Sequence, residues 1–130
     1  MSKKLPNYQK KQHILYIKRH PDKDLIASGD AFLEEGKISD AIDFYQKANY
    51  VQGLEKIKGM AKLSGDVMLL QQVLKPLKQS VSDEAWNAIG ERALEFKKYL
   101  FALHAFEKSN NITMVGRIKE IIKSEEDSKH

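Results

Sequence analysis

The sequence predicts an all-α fold, an α-solenoid of about three antiparallel helical hairpins with an N-terminal helix and a C-terminal capping helix. Three observations carry that prediction. Apolar residues recur at helical spacing along most of the 130 residues, and turn signals such as Gly36 and Ser64-Gly65-Asp66 separate the runs. Only three prolines interrupt the chain, and no long stretch rich in Val, Ile and Thr marks a strand. Third, "GDAFLEEGKISDAIDFYQKAN" at 29–49 matches "GERALEFKKYLFALHAFEKSN" at 90–110 without a gap, at an offset of 61 residues. Gly29 falls on Gly90, Leu33 on Leu94, Glu34 on Glu95, Ala41 on Ala102, Tyr45 on Phe106 and Asn49 on Asn110. A chance amphipathic match would keep the apolar period but not also the glycine and the asparagine.

Taken in order, residues 1–21 form a basic arm with a helix at 7–19 whose Ile14, Leu15 and Ile17 dock on the first hairpin. Pro21 suits the first turn of the helix that follows. Hairpins are expected at about 22–50, 51–80 and 83–110. The middle one is degenerate: Lys58 stands at its glycine position and Leu74 at its aromatic position. Pro76 should kink or end the second helix of that hairpin near Lys75. Residues 112–123, with Ile112, Val115, Ile118, Ile121 and Ile122 on one face, read as a cap that covers the last hairpin. The polar segment 124–130 reads as a solvated tail.

The third hairpin places Trp86, Ile89, Gly90 and Ala93 on one helix and Ala102 and Phe106 on the next. The first places Leu25, Ser28, Gly29 and Phe32, then Ala41, Tyr45 and Ala48. In this pattern residues 22–123 resemble the tetratricopeptide-repeat family or one of its looser helical-hairpin relatives. Hairpin starts at 22, 51 and 83 are spaced more tightly than the regular repeat of about 34 residues. The resemblance implies a right-handed superhelix with a groove that binds a peptide or helix of a partner protein, without catalysis. It implies groove positions at Lys23, Asp30, Glu34, Glu55, Lys62, Asn87, Glu91 and Glu95. The family's carboxylate clamp needs Lys and Asn where this chain has Ile26 and Asp30, Glu55 and Gly59, and Asn87 and Glu91. Only Asn87 is of the right type, so that clamp is absent. Carboxylates dominate the implied groove, which therefore suits a basic or neutral partner.

Composition narrows the alternatives. The net charge of +4 is concentrated in residues 1–24, which hold seven Lys or Arg against two Asp; the remaining 106 residues sum to −1. The basic arm reads as solvated or partner-steering; nucleic-acid binding through it is the alternative function, and a structural subunit of a homo-oligomer is another. The oligomeric state itself is not written in the sequence. No cysteine is present, so neither a disulfide scaffold nor a thiolate metal site is expected. No apolar run approaches the roughly 18 residues of a membrane span, and a cytoplasmic location is the expectation. His13, His20, His104 and His130 lack metal-ligand spacing, no phosphate-cradling glycine loop occurs, and no serine sits in a nucleophile elbow. No catalytic residue, cofactor or metal is expected. Trp86 reads as a packing residue, as does His104.

Overall fold

Residues 22–128 are described in a computed structural model of the chain. The expected helix at 7–19 and the basic arm fall outside them. Seven α-helices and no strand occur among the described residues: α1 (Asp22–Glu34), α2 (Ile38–Lys47), α3 (Val51–Ser64), α4 (Val67–Leu77), α5 (Asp83–Glu95), α6 (Tyr99–Lys108) and α7 (Ile112–Ser128). The fold class is all-α. The chain divides into two compact units, one ending at Ile57 and the other beginning at Lys58, a division that falls inside α3.

The 61-residue offset of the sequence reappears in the backbone. α5 and α6 carry the bounds of α1 and α2 shifted by 61, and α7 starts 61 residues after α3. The turns repeat as well. Gly36 and Lys97 both hold positive φ, 78° and 58°, and so do Asn49 and Asn110 at 53° and 58°. The amide of Lys37 donates to the Phe32 carbonyl at 2.9 Å, and that of Lys98 to the Ala93 carbonyl at 2.8 Å. The amides of Tyr50 and Asn111 likewise reach back to the carbonyls of Tyr45 and Phe106. These bonds satisfy carbonyls left over at a helix end, which is why a left-handed residue is placed there. Glycine pays no steric penalty in that conformation and asparagine little. Lys97 has neither advantage, and only the offset to Gly36 marks it in the sequence.

In the first unit α1 packs on α2 through small residues. Ala41 is fully buried, and Gly29 lies so close to the Tyr45 ring that an added Cβ would stand 2.6 Å from it. Gly53 of α3 approaches the opposite edge of the same ring, at 2.8 Å for an added Cβ. Tyr45 is thus held edge-on between two glycines, and the Phe32 and Phe44 rings stack beside it at 5.3 Å. Burying aromatic groups of this size supplies the largest single gains in such a small core.

In the second unit α5 packs on α6 and α6 on α7, around Ala93, Ala102, Phe106 and Ile118. Gly90 meets the Phe106 ring as Gly29 meets Tyr45, with an added Cβ 2.8 Å away. The third copy differs where the first has its stacked pair: Phe32 and Phe44 are replaced by Ala93 and Ala105. The turn between α3 and α4 uses the vacated space. Gly65 has φ +70°, and a Cβ there would lie 2.7 Å from the Ala93 Cα. Two side chains tie down the end of α3 just before it. Arg92 Nε donates to the Leu63 carbonyl at 2.7 Å and Lys98 Nζ to the Ser64 carbonyl at 2.8 Å. Cations belong there, since the last carbonyls of a helix are unpaired and carry its negative end. Both cations also lie over the Phe96 ring, Arg92 at 4.8 Å and Lys98 at 5.4 Å.

Helix starts are capped where the sequence offers a short polar side chain. Asp66 accepts from the Leu69 amide at 3.0 Å, Ser82 from Ala85 at 3.1 Å and Asn111 from Met114 at 3.2 Å. Two boundaries differ from the sequence reading. α4 continues through Pro76 to Leu77 and ends at Lys78 in a left-handed cap, because a proline in the last turn costs only one hydrogen bond to the preceding turn. α7 continues to Ser128, so residues 124–128 are helix: nothing in Ser-Glu-Glu-Asp breaks one, and glutamate favours it.

Candidate partner-binding surfaces

The eight residues expected to line a groove divide equally between the units. Lys23, Asp30, Glu34 and Glu55 belong to the first; Lys62, Asn87, Glu91 and Glu95 belong to the second. Lys23, Glu34, Lys62, Glu91 and Glu95 are exposed, and Asp30, Glu55 and Asn87 are half-buried.

Asp30 and Asn87 are engaged in holding the fold. The Tyr45 hydroxyl donates to Asp30 Oδ1 at 2.5 Å. Burial, and then the hydrogen bond and negative charge of Asp30, raise the Tyr45 phenol above the ordinary tyrosine range. Asn87 Oδ1 accepts from Ser109 Oγ at 2.6 Å and from Asn111 Nδ2 at 3.2 Å, which fastens α5 to the turn between α6 and α7. Neither tie appears in the sequence pattern, because the partners stand 15, 22 and 24 residues apart. A third, Glu95, pairs with Arg92 at 2.6 Å. That pair is solvent-exposed and contributes little to stability.

The carboxylates still form a repeated pattern, although Asp30 is half-buried and the other three are exposed. Asp30 and Glu34 on α1 recur as Glu91 and Glu95 on α5, each pair i, i+4 and so on one helix face.

Outside these positions the second unit has a surface groove of about 830 Å³ that the sequence reading missed. Met68, Gln71, Gln72, Leu74 and Lys75 of α4 line it together with residues 78–81, Trp86 and Lys108. Lys75, Lys78 and Lys108 are exposed, while Trp86 is 9% exposed. Among the described residues no carboxylate lines this groove. The sequence offers a weak signal for it: Lys75 and Lys78 sit three apart at the end of a helix, but Lys108 lies 30 residues further on. Trp86 does pack, as its repeat position implies, yet it also lines this groove.

Among the described residues no cluster of three His, Asp or Glu side chains could hold a metal. His104 lies on α6 with Nε2 shielded from water and without a hydrogen-bond partner among the described residues. No helix among them is long and apolar enough to cross a membrane. No protein-family model matches the chain, nor does any curated protein or solved structure.

Proposed function

We propose that the chain is a non-catalytic protein-interaction module, a tetratricopeptide-like helical repeat whose hairpins stack as a right-handed solenoid. It binds a basic or neutral segment of a partner protein. One observation carries this reading. A helix pair recurs at an offset of 61 residues with the same bounds, the same left-handed turn positions and the same glycine-to-ring approach, and a carboxylate pair at i, i+4 recurs with it. Repeats of this kind present side chains on successive first helices, and evenly placed like charges on such a surface favour an oppositely charged segment. Asp30 and Asn87 support the surface from within, and Glu34, Glu91 and Glu95 are the groups exposed for contact.

The test is affinity capture with the full chain as bait, compared with the same bait carrying E91K and E95K. Exposed substitutions of this kind leave folding nearly unchanged. A protein partner recovered by the native chain and weakened several-fold by the double reversal supports the reading. A partner indifferent to the reversal removes it from α5, and recovery of nucleic acid that depends on residues 1–20 replaces it with the alternative function.

A further inference from the structure

We propose that the groove beside Trp86 is a second docking site, and that its occupant is an acidic amphipathic helix of a partner protein. The inference shares with the reading above only the premise that the chain binds proteins; the surface and the charge preference differ.

The groove has an apolar component, to which Met68, Leu74, Val81 and Trp86 contribute. Its charged lining is cationic, with exposed Lys75 and Lys78 at the end of α4 and Lys108 at the end of α6. α4 and α6 pack directly on each other, so these charges are held by two helices of one core rather than by a loose segment. No carboxylate lines the groove to neutralise them, whereas the exposed face of α5 bears Glu91 and Glu95. A ligand complementary to that arrangement needs an apolar edge to enter beside Trp86 and carboxylates on either side to meet the lysines. An amphipathic helix with Leu or Phe on one face and Glu or Asp flanking it has that form. Buried aromatic anchors are where binding energy concentrates at interfaces, and lysines around them add steering and charge selectivity. A nucleic-acid strand would use the lysines but would need a ring open to base stacking, and Trp86 is only 9% exposed.

Trp86 is the sole tryptophan of the chain, so its emission reports on this groove without a label. The full chain is titrated with a synthetic peptide free of Trp and Tyr, carrying Leu at helical spacing and Glu elsewhere. Parallel titrations use a Lys-for-Glu counterpart, poly-glutamate and oligothymidylate. The expected result is a saturable change in Trp86 emission with the Glu-Leu peptide alone. Binding should weaken about tenfold in K75E/K78E and should weaken with added salt. Should the charge reversal lose the helical circular-dichroism signal, K75Q/K78Q decides in its place, since both side chains are exposed. No emission change, or equal affinity in the lysine variants, overturns the inference. Equally tight binding of poly-glutamate or oligothymidylate also overturns it and makes the groove a general anion site. If the peptide fails while E91K/E95K still governs partner capture, this inference falls and the protein-binding reading stands.

Discussion

Replacing Gly65 with alanine tests whether the turn between α3 and α4 is seated on α5. Two costs add at this position. With φ at +70° a Cβ clashes with its own backbone, which costs about 1–2 kcal/mol. The same Cβ would stand 2.7 Å from the Ala93 Cα and 2.8 Å from its nitrogen, against roughly 3.5–4.0 Å for comfortable contact. Those are backbone atoms inside a helix and cannot rotate away, so overpacking adds about 1–3 kcal/mol. The entropy removed from the unfolded chain returns about 0.4–1 kcal/mol. The net expectation is a loss of about 1–4.6 kcal/mol, centred on about 3, or a melting temperature lowered by about 10 °C for a chain of this size. Gly36 is the control, because its φ is +78° but an added Cβ there meets nothing within 4 Å. Gly36→Ala should cost about 1 kcal/mol or less, and the equivalent position in the third copy already holds Lys97 at φ 58°. Asparagine separates the two effects, since it tolerates the left-handed region yet still carries a Cβ. Gly36→Asn should be nearly neutral while Gly65→Asn stays damaging. The assay is thermal unfolding followed by far-ultraviolet circular dichroism, with Trp86 emission as a probe of the second unit. If Gly65→Ala melted within about 2 °C of Gly36→Ala, the seating of this turn on Ala93 would be refuted.

Further predictions concern the small residues and the titrating groups. Ala41 is fully buried between paired helices, so Ala41→Leu should cost about 1–3 kcal/mol by overpacking; an unchanged melting temperature would contradict the register. Gly90→Ala should destabilise through its 2.8 Å approach to Phe106. Gly59→Ala, in an open helical position, should stabilise by about 0.5–1 kcal/mol, and chemical denaturation distinguishes the signs. Because the folded-state pKa of Tyr45 is raised, its contribution is present below the unfolded tyrosine value and is lost as pH rises. Above about pH 10 the unfolded state releases a proton that the folded state keeps, which costs up to about 1.4 kcal/mol per pH unit. Melts between pH 9 and 11, on the order of the tyrosine titration range, should therefore fall more steeply for the native chain than for Tyr45→Phe. His104→Leu should be neutral or stabilising in the same melts, since it removes a shielded nitrogen that lacks a hydrogen-bond partner among the described residues.

What the sequence determined by itself is the local grammar. Helix starts at 22, 51 and 83 were readable because each opens an apolar run of helical period. The turns at Gly36 and Gly65 were readable because glycine alone enters the left-handed region freely, and the correspondence of Gly29 with Gly90 and of Tyr45 with Phe106 followed from matching residues 61 apart. The tertiary structure decided the rest. Lys97 adopts a left-handed turn without a glycine because the bonds from Lys97 and Lys98 to Leu94 and Ala93 hold it there. Asp30 and Asn87, which look like surface groups on a helix face, are drawn into hydrogen bonds by Tyr45 and Ser109. Lys75, Lys78 and Lys108 come to one groove because α4 packs on α6, an adjacency with no period or spacing to announce it. Local backbone preference acts over a few residues and leaves its mark in the chain's order; which side chains meet across helices is set by packing, and packing brings together residues whose distance in sequence carries no information.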